Sequence, residues 1–239
     1  MLRFGPLLVA LILITGCQGA PPQAAGSQSR SGRSAGSQQA AAKRSASGAS
    51  GKFDFYVLSL SWSPEYCASR GNTRRGDIQC AGERQYDFVL HGLWPQYEQQ
   101  GWPQDCSTEP IARPVVDSML DIMPSPGLIR HEWTKHGTCS GLDAAGYFGE
   151  ARKAFQAVRI PEPYKRPQRQ VVSNVRELKK RFAQANPKLK EDGVAAVCSG
   201  RFLQEVRVCL TTDFQPRPCS KDVLRSQCRV DEVILRPVR

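Results

Sequence analysis

The chain has 239 residues, 40% of them hydrophobic, with 33 lysines and arginines against 22 acidic residues for a net charge of +11. That apolar share supplies a packed core and excludes a wholly disordered protein, while the length allows one large domain or two small ones. A basic body fits a polyanionic partner, but charge alone does not choose among nucleic acid, anionic lipid and mere solubility.

At the N-terminus, Arg3 precedes an apolar run from Leu7 to Ile14. The run is too short to span a bilayer as a helix and fits the hydrophobic region of a secretory signal. Ile14-Thr-Gly-Cys17 resembles a bacterial lipobox, in which cleavage leaves Cys17 as a lipidated first residue. Residues 1–17 are therefore expected to be a lipoprotein-type leader. Export to the bacterial cell envelope follows, periplasm or outer membrane, with a membrane anchor through Cys17. The alternative is an ordinary signal peptide cut near Ala20. Residues 18–52 are dominated by Ala, Gly, Ser and Gln, with scattered Arg and Lys. From Gln18 to Gly51 there is no aromatic or large aliphatic side chain, so the stretch predicts a flexible tether.

The remainder, residues 53–239, predicts one domain. Lys52-Phe-Asp-Phe-Tyr-Val-Leu-Ser-Leu60 is rich in aromatic and branched residues and predicts a strand. Tyr86–Leu90 predicts a second, ending at His91 and Gly92, and Arg201–Leu210 and Asp231–Leu235 predict two more. Between them Pro114–Ile122, Leu128–Lys135, Ala144–Val158 and Asn174–Ala185 predict helices, with Asp143 and Ser173 as N-caps of the last two. Strands at both ends with helices in the middle indicate an α+β fold, a central antiparallel sheet flanked by helices.

Of nine cysteines, eight remain if Cys17 carries lipid: Cys67, Cys80, Cys106, Cys139, Cys198, Cys209, Cys219 and Cys228. An even number in an exported domain points to disulfides, and no pair has the CxxC spacing of a zinc ribbon.

All three histidines fall in two short segments, Phe88-Val-Leu-His-Gly-Leu-Trp-Pro-Gln96 and His131-Glu-Trp-Thr-Lys-His-Gly-Thr-Cys139. Imidazole changes charge near neutral pH and suits proton transfer in both directions. If the helix at Leu128–Lys135 extends to His136, Glu132 and His136 share one stripe and His131 and Lys135 another. Glu132 is then expected to orient His136 and favour its charged form, with Lys135 a fixed cation for an anion. A zinc site is disfavoured, because His131 and His136 are five residues apart, about 140° around a helix, and a lysine lies between them.

These two segments resemble the signature active-site segments of the RNase T2 family of secreted ribonucleases, intact and in the family's order. The likeness runs from about Phe53 to Leu235 and includes the Tyr56-Val-Leu-Ser-Leu-Ser-Trp-Ser-Pro64 start. The resemblance implies a metal-independent endoribonuclease with no cofactor, acting on single-stranded RNA with broad base specificity. Its products would be 2′,3′-cyclic phosphates and then 3′-phosphates. His136 would take the proton of the ribose 2′-hydroxyl and His91 would protonate the leaving 5′-oxygen. His131 would bind phosphate, Glu132 and Lys135 would stabilise the phosphorane, and Trp94 would line the nucleotide site. Gln96 and Tyr97 are candidates for base contacts by proximity alone. The resemblance also implies disulfides Cys67–Cys80, Cys106–Cys139, Cys198–Cys228 and Cys209–Cys219, and a monomer without an obligate protein partner. Two other readings stay open: an RNA-binding relative of weak activity, and a histidine-dependent phosphodiesterase acting on another substrate.

Overall fold

The computed structural model of the protein describes residues 50–70 and 77–239. The expected leader, Cys17 and nearly all of the tether lie outside the described residues. Strand β1 (Phe55–Trp62) pairs antiparallel with β2 (Phe88–Gln96) on one side and with β5 (Phe202–Leu210) on the other. β4 (Val194–Ser199) also pairs with β5, and β6 (Val233–Leu235) joins β5 to β3 (Val171–Ser173). The sheet is antiparallel throughout except at the short β5–β6 contact, which is parallel.

Side chains alternate across a strand, and directly opposed residues share a face. Leu58, Leu60 and Trp62 of β1 enter a large core with Met123, Ile129, Trp133, Tyr147 and Phe182. These partners come from the helical side: α4 (Pro126–Lys135), α5 (Ala144–Ala157), α6 (Val175–Ala185) and the segment after α3 (Arg113–Met119). The other face of β1 carries Phe55 and Val57, packed with Ala195, Cys209 and Val223, and then Ser59 and Ser61. That second face holds the site.

β2 continues past Leu90, where the sequence predicts its end. The reason is a bulge: Leu60 faces Leu90 but Ser59 faces Gly92, so His91 is an extra residue. A bulge resets the alternation, keeping both Leu90 and Leu93 on the core side and turning His91 to the opposite face. Strict period-2 patterning therefore fails at this point. Strands β3 and β4 are not predicted from sequence. β3 has three residues, and in β4 Val194, Ala195 and Ala196 are all buried, which erases the alternation.

Helix ends follow local hydrogen bonding. Asp143 caps α5 by accepting from the Gly146 amide at 2.7 Å. Asn174, not Ser173, caps α6, accepting from the Glu177 amide at 2.9 Å, because Ser173 still belongs to β3. Short helices α1 (Ser63–Ser69), α2 (Ile78–Ala81) and α7 (Lys221–Arg225) and three single 3₁₀ turns complete the described elements. Disulfides join Cys67 to Cys80, Cys106 to Cys139, Cys198 to Cys228 and Cys209 to Cys219. The last tether residues are docked: the Gly51 amide donates to the Cys139 carbonyl at 2.9 Å and the Ser50 hydroxyl to that of Thr138 at 2.9 Å.

Candidate active site

Three strands supply one wall. Register places Gly92, Ser59 and Arg207 in one row across the sheet, and Val89, Ser61 and Glu205 in the next. Because the middle strand contributes only serines, the Glu205 carboxylate reaches across it to His91, Oε1 lying 2.7 Å from Nδ1. The Arg207 guanidinium donates to the other oxygen of Glu205 through Nε at 2.9 Å and Nη2 at 2.8 Å. Its Nη1 donates to Ser226 Oγ at 3.0 Å. The Arg207 guanidinium also sits 5.0 Å from the centre of the Trp94 ring.

Helix α4 supplies the opposite wall. Its N-terminus is set by Pro126 and by Ser125, whose hydroxyl accepts from the Leu128 amide at 3.2 Å. Trp133 faces the core and donates to the Glu109 carbonyl at 2.7 Å, which fixes the roll of the helix. Glu132, 1% exposed, then points at the sheet, where it accepts from Trp94 Nε1 at 2.7 Å. Gly92 makes this approach possible: a Cβ there would lie 2.0 Å from Glu132 Oε2 and 2.3 Å from Trp94 Nε1. Gly137 is a second such position, since a Cβ would lie 2.4 Å from the Trp133 ring.

His136 is not on the Glu132 stripe. Its φ of −124° takes it out of the helix as the C-cap, so four-residue spacing does not set its side-chain direction. The expected Glu132–His136 pairing is therefore absent. Glu132 instead turns toward His91, with Oε1 3.7 Å from Nε2, too long for a hydrogen bond. His136 packs beside Trp94, ring centres 5.5 Å apart, and His91 meets the same indole edge-on at 5.1 Å. His136 Nδ1 is buried without a partner. Lys135 lies 3.5 Å from Asp105, whose amide donates to the Lys135 carbonyl, and His131 is exposed on α4. Gln96 is buried with its amide bound to the Pro95 carbonyl at 2.9 Å, which occupies it structurally.

Electrostatics divide the two imidazoles. Burial, joined by the charges of His131, Lys135 and His91, pushes His136 down to about 3 and leaves it neutral. Burial also works against a charged His91, but the Glu205 hydrogen bond and charge, with Glu132, outweigh it and raise His91 above its usual range. Burial lifts Glu205 as well, yet His91 and Arg207 together hold it at about 2, so it is a carboxylate. A carboxylate only accepts, so Nδ1 of His91 donates to it. Burial drives the Glu132 carboxyl up to about 7, against the opposing His91 charge and Trp94 hydrogen bond. Around one indole the arrangement places an imidazole displaced toward its neutral form, another displaced toward its charged form, and a carboxyl that titrates at about 7.

The structure brings His91, Trp94, Glu132, His131, Lys135 and His136 to one region. Sequence reasoning missed Glu205 and Arg207. The signal was present: two charged residues two apart in a predicted strand, on the side opposite Val206, Val208 and Leu210. What they touch was not.

Residues 53–219 match the ribonuclease T2 family. A ribonuclease of Aeromonas hydrophila is 35% identical over 202 residues, covering 81% of this chain and 90% of that protein. An RNase-related protein from Calystegia sepium shares the fold, with a TM-score of 0.64 at 19% identity over 78% of this chain and 98% of that one. RNase NT, solved in complex with 5′-AMP, superposes with a TM-score of 0.54 at 20% identity over 79% of this chain and 100% of that one. With both histidine segments inside the matched stretch, the chain belongs to the ribonuclease T2 family.

Proposed function

We propose that the protein is an endoribonuclease that cleaves single-stranded RNA by transferring the phosphate to the neighbouring 2′-hydroxyl. One observation carries this reading: two imidazoles flank the same indole, His91 at 5.1 Å and His136 at 5.5 Å, the first raised above its usual range by Glu205 against its burial and the second pushed down to about 3 by burial. Neutral His136 removes the 2′-hydroxyl proton as the oxygen attacks phosphorus. Nε2–H of charged His91 gives its proton to the departing 5′-oxygen, leaving a 2′,3′-cyclic phosphate. Water then opens the ring with the two roles exchanged, giving a 3′-phosphate. Lys135 and His131 neutralise the phosphate. Glu132, raised to about 7, holds a proton in a large fraction of molecules at neutral pH and donates it in a hydrogen bond to a non-bridging oxygen. Trp94 and the Arg207 above it form the nucleotide wall, and stacking of this kind tolerates any base.

The chemistry is complete without a metal, and the reading takes the protein as a monomer that needs no partner besides RNA. The N-terminal features support export with a lipid anchor on Cys17. Fatty-acid labelling that is lost in Cys17→Ala tests the anchor. The mechanism is tested with a DNA oligonucleotide containing one ribose, digested with chelator present. The expected product is a single cut 3′ of the ribose, ending in a 2′,3′-cyclic phosphate, and no cut when the ribose is 2′-O-methylated. A 5′-phosphate product, or cleavage of the methylated strand, overturns it.

A further inference from the structure

We propose that Glu205, itself held by Arg207, is a positioning residue that fixes the His91 ring through Nδ1 and so aims the proton on Nε2 at the leaving oxygen. The inference rests on the reading of His91 as the general acid. Its basis is geometric. His91 stands on a bulge, with no ladder partner across β1 to restrain it. A bulged residue needs some other contact to hold its direction. Glu205 provides one at 2.7 Å, from a site 114 residues away in sequence.

Glu205 is in turn immobilised. Both Arg207 nitrogens that it accepts from bind the same oxygen, Oε2, which leaves Oε1 to His91. Arg207 is anchored at Ser226, next to the end of α7, and over the face of Trp94. Trp94 donates to Glu132, whose free oxygen faces the other nitrogen of His91. The contacts form a chain, His91 to Glu205 to Arg207 to Trp94 to Glu132, whose free oxygen comes back to 3.7 Å from Nε2 of His91. Glu205, Arg207 and Trp94 are each held on two sides, while Nε2 of His91, 3.7 Å from Glu132, is too far to hydrogen-bond to it and stays available to an oxygen of the substrate.

The titratable and charged groups facing His91 are Glu205 and Arg207 from β5, Glu132 from α4 and His136 just beyond it; β1 contributes only Ser59 and Ser61. Glu205 and Glu132 favour the charged ring, and Arg207 disfavours it. The two β5 residues consequently have opposite signatures. In Glu205→Gln the amide oxygen pairs with Arg207 and the amide nitrogen turns to Nδ1, which favours the neutral ring. The alkaline limb of the kcat/KM profile should then fall by about 1–2 pH units, while the acid limb, set by His136, stays. In Arg207→Gln the repulsion is removed and Glu205 remains, so the alkaline limb should move up. Glu205→Asp keeps the charge and should keep the position of the limb while lowering kcat. Glu205→Ala should lose about 10²-fold in kcat, with KM for a dinucleotide little changed.

The experiment is the pH–rate profile of these variants together with NMR titration of the His91 ring nitrogens in each, at matched thermal unfolding temperature. Opposite shifts for Glu205→Gln and Arg207→Gln, in both rate and NMR titration, support the assignment. A ribonuclease whose alkaline limb and His91 titration are unmoved by Glu205→Gln, or move the same way in both variants, overturns it. If instead the wild-type protein leaves 5′-phosphate ends, the reading of His91 as general acid fails, and the NMR titration still reports whether Glu205 controls the ring.

Discussion

On one face of the sheet β1 presents Leu58, Leu60 and Trp62 to helices, all completely buried; on the other, the serines between them lie under a cluster of five ionisable side chains. The first face follows volume. Large apolar groups fill the space between sheet and helices, and burying a leucine there stabilises the fold by about 1.5–3 kcal/mol. The second face follows reach. Had β1 carried leucines at 59 and 61, they would stand between Glu205 and His91. The same strand thus stabilises the protein with one set of side chains and clears room for the ionisable cluster with the other. Ser59 reveals the cost, for its hydroxyl is fully buried and has no partner.

The comparison predicts that damage separates cleanly by face. The largest effect belongs to the cleft: His136→Ala or His91→Ala should each reduce kcat by about 10²–10⁴-fold while RNA binding and melting temperature stay close to wild type. Fluorescence-anisotropy binding beside a cleavage assay measures both, and a loss confined to binding would place the chemistry elsewhere. On the helix face, Leu60→Ala should lower stability by about 2–5 kcal/mol in chemical denaturation. Below its own unfolding transition this variant should cleave RNA at a rate near wild type. A large loss of kcat without loss of stability would mean that the two faces are coupled.

The pH dependence sharpens the contrast within the cleft. In the proposed mechanism His136 must be neutral; it is held at about 3, so activity should rise through that region as protons leave it. In that mechanism His91 must be charged, and it is raised above its usual range, so activity should persist past pH 6.5 and fall as the ring deprotonates. Glu132, at about 7, deprotonates along the same falling limb. A kcat/KM profile whose rising limb lies near 6 would mean that His136 is not kept neutral by its surroundings. The smallest effect comes from the floor: Ser59→Ala removes an unpartnered buried hydroxyl and should leave stability unchanged or slightly higher, with activity intact. A clear loss of stability in that variant would show that the hydroxyl has a partner.

Much of this protein is local and therefore legible along the chain. The sequence marks Ala144–Val158 and Asn174–Ala185 as helices, within a residue of the observed ends, and Asp143 announces the start of the first. The two histidine segments are contiguous, so their composition alone marks them as chemical. The tertiary structure decides how those histidines are held. His136 leaves the helix at its last turn, which separates it from Glu132 despite their four-residue spacing. The bulge at His91 breaks the alternation from which a strand is recognised, and in doing so turns the ring onto the cleft face. Glu205 and Arg207 are two more charged residues in a strand until the register of β1 against β2 and β5 brings them to His91 and Trp94. Hydrophobic periodicity depends on neighbours in sequence, whereas proton affinity and ring orientation depend on neighbours in space. For this reason most of the elements and the two histidine segments were determined by the sequence alone, and the opposite displacement of the two imidazoles, His136 down to about 3 and His91 upward, was decided by the tertiary structure.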